Sequence, residues 1–120
     1  MNELKRSHVG PRLSEAAVYH GVVYLAGQVA NNTQQDIEGQ TAEVLTMIDE
    51  LLEEHGSDKS RILSCMIYLA DIGMFSRMNT VWDAWVAPGA APPRATVEAK
   101  LATSEKLVEV VVTAALKQST

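Results

Sequence analysis

Two stretches towards the end of the chain place apolar residues at every second position, the period of a pleated strand. In residues 94–101 these are Ala95, Val97, Ala99 and Leu101, and in residues 107–116 they are Val108, Val110, Val112 and Ala114. Successive side chains of a strand point to opposite faces, so each stretch has one apolar side and one mixed side. Pairing the two as a hairpin through residues 102–106, with both apolar sets turned to the core, fixes the register, because a one-residue slip turns a whole face over. The opposite side then carries Arg94, Thr96, Glu98 and Lys100 on one strand and Leu107, Glu109, Val111, Thr113 and Ala115 on the other.

The remaining segments alternate between strand-like and helix-like periods. Residues 15–20 and 22–26 read as strands turned tightly at Gly21. Residues 36–55 place Val44, Leu45, Ile48, Leu51 and Leu52 at helical spacing, with Asp36 or its polar neighbours as the cap and Gly56 as the stop. The acidic residues Glu43, Asp49, Glu50, Glu53 and Glu54 fill the other side and read as a solvated face rather than a cation site. Residues 61–70 form a strand with Leu63, Cys65, Ile67 and Leu69 on one side, which makes Cys65 a small core residue rather than a nucleophile. Residues 74–86 form a second helix with Met74, Met78, Val81, Trp82 and Trp85 as its apolar stripe, read as core rather than as a ligand cage. Pro88, Pro92 and Pro93 stiffen the approach to Arg94.

The order is β-β-α-β-α-β-β, with room for another strand before residue 10. Two amphipathic helices cover one face of such a sheet, so the expectation is a two-layer α+β domain spanning residues 1–120. At this length folding buries roughly two-thirds of the chain's surface, enough for one core without covalent staples.

Composition excludes several functions. A lone cysteine makes no internal disulfide. His8, His20 and His55 lie far apart, and no Cys-x-x-Cys or His-x-x-x-His spacing occurs, so no metal site is expected. The net charge is −5 and the ten Lys and Arg residues are scattered, which argues against a nucleic-acid partner. No apolar run approaches the ~18 residues of a membrane span, and Met1 to Arg6 are followed by no apolar leader core. A cytoplasmic protein without membrane association is expected.

The uncovered sheet face mixes charges with Val and Leu, and the strand at 61–70 adds Ile62, Met66 and Tyr68 to it. A solvated face would be more uniformly polar. Burial against other copies of the chain is therefore expected, with Arg94, Thr96, Glu98 and Glu109 near the seams. Such groups suit either a cleft for a ligand or a salt-bridge network inside the interface.

Taken in order, several motifs resemble the RidA (YjgF) family of enamine/imine deaminases. They are Gly10-Pro11, Leu25-Ala26-Gly27-Gln28, Met78-Asn79-Thr80-Val81-Trp82, Pro92-Pro93-Arg94-Ala95-Thr96-Val97-Glu98 and Lys106-Leu107-Val108-Glu109-Val110. No single piece is specific, but their order and the spacing from Arg94 to Glu109 match the family over nearly the whole chain. Trp82-Asp83-Ala84-Trp85-Val86 with Ala91-Pro92 is most similar to the YoaB-like branch.

The resemblance implies a chorismate-mutase-like fold and a homotrimer with clefts between subunits. It implies hydrolysis of 2-imino acids to 2-oxo acids and ammonia, without a cofactor. Arg94 stands at the position that binds the substrate carboxylate, a task suited to a planar guanidinium. Glu109 stands where a carboxylate positions water. Gly27 and Asn79 match further cleft positions. Three residues depart from the pattern: Arg12 replaces a tyrosine, Ala26 a serine and Thr96 a cysteine. Those losses favour an alternative, a non-catalytic protein that binds or senses a small carboxylate metabolite in the same cleft. A ribonuclease, an activity attributed to some relatives, is opposed by the acidic charge.

Overall fold

A computed structural model describes residues 3–117; Met1 and Asn2 of the segment read for a leader, and residues 118–120, lie outside it. Among the described residues seven strands and two α-helices follow one another as β1 (Lys5–Val9), β2 (Ser14–Tyr19), β3 (Val22–Leu25), β4 (Gln28–Val29), α1 (Ile37–Glu54), β5 (Ile62–Leu69), α2 (Phe75–Trp85), β6 (Arg94–Glu98) and β7 (Val108–Ala115). The sheet runs β1-β2-β3-β7-β5-β6, with β4 also pairing with β7. Both helices contribute to one core over one face, so the expected two-layer α+β architecture with a mixed sheet is what the chain adopts.

Local chemistry explains the boundaries. His20 and Gly21 both have positive φ, 50° and 78°, which gives the two-residue turn whose twist suits a hairpin, and Tyr19 pairs with Val22 across it. The Asp36 side chain accepts the Gly39 N–H at 3.0 Å and caps α1. That backbone hydrogen bond, helped by the charge of Arg77, holds the Asp36 carboxyl below its ordinary range. A carboxyl lowered in this way stabilises the fold at neutral pH and loses that contribution as pH falls through the lowered value.

The core is built from alternate strand residues and the helix stripes. Val108, Val110, Val112 and Ala114 of β7 are buried, as their spacing predicts, against Val44, Leu45, Ile48 and Leu52 of α1 and Met78 and Trp82 of α2. Cys65 is buried among them, and burial pushes its thiol up to about 12 while the nearby Arg94 charge pulls the other way. A thiol so held stays protonated and acts as a small apolar group. The acidic side of α1 is not merely solvated. Glu43 accepts the Asn31 N–H at 2.8 Å, Asp49 accepts Trp85 Nε1 at 2.9 Å, and Glu54 meets His8 Nε2 at 2.7 Å.

Three expectations are corrected. β6 and β7 do not form a hairpin. β6 lies parallel to β5 on its far side, and β7 lies antiparallel on its near side. A parallel pair needs a crossover, which α2 supplies, so β5 separates the two strands. The sidedness of β6 is also inverted. Arg94 pairs with buried Cys65 and Thr96 with buried Ile67, so Arg94, Thr96 and Glu98 share the helix-covered side, while Ala95 and Val97 are exposed on the open one. Alternation on an edge strand marks two sides without saying which is covered, and the arginine stem lies along apolar surface as readily as an aliphatic side chain. At the start of β5 a register shift between Ile62 and Ser64 buries Ile62 and leaves Leu63 48 % exposed, the reverse of the simple pattern.

Leu69 is fully buried between the sheet and the helices. Leu69→Ala should cost about 2–5 kcal/mol through lost burial and the cavity left behind. Denaturant unfolding measures this as a lower midpoint with an unchanged slope.

Candidate functional site

The helix side of β6 and the facing stripe of α2 build one cluster. Arg94 begins β6, and its guanidinium carbon lies 4.9 Å from the centre of the Trp82 ring and 5.8 Å from that of Phe75. Phe75, Asn79 and Trp82 fall at i, i+4 and i+7 on α2, so they form one stripe with Asn79 between the rings. Asn79 Oδ1 and Thr96 Oγ1 are both shielded from solvent and have no hydrogen-bond partner. Buried polar atoms are nearly always satisfied, so two partnerless ones on the strand and helix stripe that carry Arg94 and its rings stand out.

The open side of the sheet carries a second cluster. Glu109 of β7 sits opposite Tyr68 of β5 and Val29 of β4. Its carboxylate lies against Gly27, where an added Cβ would collide with Oε2 and come within 2.9 Å of the carboxyl carbon. The chain around Gly27 is fixed from both sides. Ala26 N–H donates to the Glu15 carbonyl at 2.9 Å, and the buried Gln28 side chain donates to the Ala26 carbonyl at 2.9 Å and to Glu15 Oε1 at 3.0 Å. Glu109 also lines a cleft of about 330 Å³ with Tyr68, Lys100 and Val111. A larger hollow of about 540 Å³ beside α1 is lined by Asn31, Gln35 and Glu43 and includes neither Arg94 nor Glu109.

The seven residues singled out from sequence thus fall into separate groups. Arg94, Asn79 and Thr96 belong to the helix-side cluster, and Gly27, Ala26 and Glu109 to the open side. Arg12 is exposed in the β1–β2 turn, closed by the Gly10 N–H to Leu13 carbonyl bond at 2.8 Å. Arg94 and Glu109 do not pair. Cys65 is opposite Arg94 and Tyr68 opposite Glu109, so their Cα atoms are separated by two strand spacings and three residues, ~14 Å, and their side chains leave opposite faces. Glu98 does not share a side with Glu109, as the hairpin reading expected. It pairs with Leu69 and accepts the Ile72 N–H at 2.9 Å.

Three neighbours were not singled out as site residues from sequence: Phe75 and Trp82 around Arg94, and Lys100 in the Glu109 cleft. The helical stripe included Trp82 but not Phe75, and a core stripe and an arginine platform have the same spacing.

Among the described residues no group of three or more His, Cys, Asp or Glu side chains is arranged to hold a metal ion, and no helix is long and apolar enough to cross a membrane.

Residues 6–116 match a protein-family model described as Endoribonuclease L-PSP. A RutC family protein of Haemophilus ducreyi is 47 % identical over 113 residues, covering 94 % of this chain and 97 % of that protein. The RutC family protein YoaB of Escherichia coli K12 is 43 % identical over 105 residues, covering 88 % and 91 %. Among solved structures, a YjgF-family protein of Neisseria meningitidis superimposes with a TM-score of 0.95 at 44 % identity over 98 % of both chains. Yeast Mmf1, at a TM-score of 0.87 but 22 % identity, shares the fold.

Gly27→Ala should drive the Glu109 carboxylate from its seat while leaving the core intact, because the displaced atoms end a flexible side chain. A crystal structure of the variant checks this, with a melting temperature within a few degrees of wild type as the control.

Proposed function

The chain belongs to the Endoribonuclease L-PSP family, that of its YjgF and RutC relatives, and from that premise we propose that it hydrolyses reactive 2-imino acids to 2-oxo acids and ammonia. The observation that carries the reading is the complementary chemistry of the two half-sites. One offers a guanidinium with no carboxylate partner among the described salt bridges, and the other a carboxylate seated on a glycine. A 2-imino acid needs both: a cation for its carboxylate and an acceptor for the water that attacks its C=N carbon.

Hydrolysis then proceeds in balanced steps. Glu109 accepts a hydrogen bond from water, whose oxygen adds to C2. The proton released goes to the nitrogen, giving a carbinolamine; its hydroxyl proton then passes to the amine nitrogen as the C–N bond breaks and the C=O bond forms, so that ammonia leaves a 2-oxo acid. Arg94 holds the carboxylate throughout with two parallel N–H donors. The imine is intrinsically reactive, so positioning supplies much of the rate.

Opposite faces of one chain cannot serve one small substrate, so the site is proposed to form between subunits of a homotrimer. The open sheet face supports this, with Tyr24 49 %, Tyr19 41 % and Val97 39 % exposed and Met66, Tyr68 and Val111 beside them without a covering helix. Val111→Asp places a charge in that seam at a cost of several kcal/mol when dry. Light scattering should then report dissociated, less soluble chains.

A second reading, a carboxylate-binding protein without catalysis, is favoured by Ala26, whose methyl offers no hydroxyl at the Glu109 side. The experiment that separates the two generates 2-aminoacrylate in situ with a dehydratase and times its loss. Wild type should accelerate the loss. Glu109→Gln should still bind a 2-oxo acid yet lose about 10²–10⁴-fold in rate. If Glu109 only neutralises an interface cation, the variant weakens the assembly and leaves turnover per intact assembly unchanged.

A further inference from the structure

Resting on that reading of Arg94, we propose that Phe75 and Trp82 are positioning residues, a two-ring seat that aims the Arg94 guanidinium at the ligand carboxylate. Free arginine side chains sample many rotamers, and a clamp works only if its N–H edge is presented in one orientation. The guanidinium lies over the rings of both Trp82 and Phe75, at 4.9 and 5.8 Å. An aromatic face attracts the flat face of the cation without consuming its in-plane donors, which stay free for a carboxylate.

The seat is itself anchored. Trp82 is 6 % exposed and packs against Trp85, ring centres 5.3 Å apart at 53°. Trp85 is held in turn by Asp49 of α1, which accepts its Nε1 proton at 2.9 Å, and by Lys59, whose Nζ lies 5.2 Å from the ring centre. Orientation is thus transmitted from α1 through two tryptophans to Arg94. Asn79, between the two rings, is the isostere that keeps the seat neutral. Its Oδ1 makes no hydrogen bond within the chain, whereas a carboxylate there would compete with the ligand for the guanidinium.

The test measures binding of 2-oxobutanoate by calorimetry and imine hydrolysis for wild type, Phe75→Leu, Trp82→Phe, Trp82→Leu and Arg94→Ala. Phe75 is 39 % exposed, so its leucine variant keeps the fold even where Trp82→Leu does not. Phe75→Leu should weaken binding about two- to fivefold, and Trp82→Leu by up to roughly thirtyfold, the spans for exposed and desolvated cation–π contacts. Trp82→Phe should recover most of the loss. KM should rise with Kd while kcat holds, and the Arg94 Nε–H resonance should lose its ring-current shift. If Arg94→Ala abolishes binding while Phe75→Leu and folded Trp82→Leu bind like wild type, the aromatic seat is overturned and the proposed function stands. If Arg94→Ala binds and turns over like wild type, the clamp itself fails, and the seat with it.

Discussion

The pairing of β5 with β6 on one side and β7 on the other is the constraint from which the rest follows. Strand side chains alternate, and the register places Arg94 opposite Cys65 but Glu109 opposite Tyr68, an odd number of residues away along β5. Arg94 must therefore leave the helix face and Glu109 the open face. No rotamer change brings them together within a chain, because the sheet lies between them.

That arrangement places the two candidate groups in two environments. On the helix face Arg94 rests among rings and beside a thiol kept neutral by burial, and it forms no salt bridge among the described residues. On the open face Glu109 rests on Gly27, whose backbone is fixed through Glu15 and Gln28. Each half is rigid for a different reason: aromatic packing traced back to α1, and a hydrogen-bonded turn beside β4. The proposed reaction needs both ends held in place, since a carboxylate and the imine carbon bonded to it leave little room for adjustment.

Much of this was legible in the sequence because period and chemistry agreed. The buried set of β7 follows from Val108, Val110, Val112 and Ala114, and α1 from its cap at Asp36 and its stripe of Val44, Leu45, Ile48 and Leu52. The motif order around Arg94 and Glu109 pointed to the family that the comparisons establish. What was not legible was partnership. Alternation in residues 94–98 fixes two sides but not which strand lies alongside, so the parallel docking of β6 on β5 reads equally well as a hairpin. The Ile62/Ser64 register shift is hidden for the same reason, as a bulge is a property of a pair. Trp82 was assigned to the core and does lie there at 6 % exposure, yet its ring also faces Arg94. A spacing rule cannot separate two uses of one surface.

The central claim is that Arg94 of one subunit and Glu109 of another complete one site, and subunit mixing tests it most directly. Arg94→Ala and Glu109→Gln chains, each inactive alone, are unfolded together and reassembled, with the mixed species verified by native mass spectrometry. In a ring of three, every mixed assembly restores an unmutated pairing at roughly one seam in three, so imine hydrolysis should return to about that fraction of wild type. Mixed trimers that form and stay inactive would contradict a site shared across the seam.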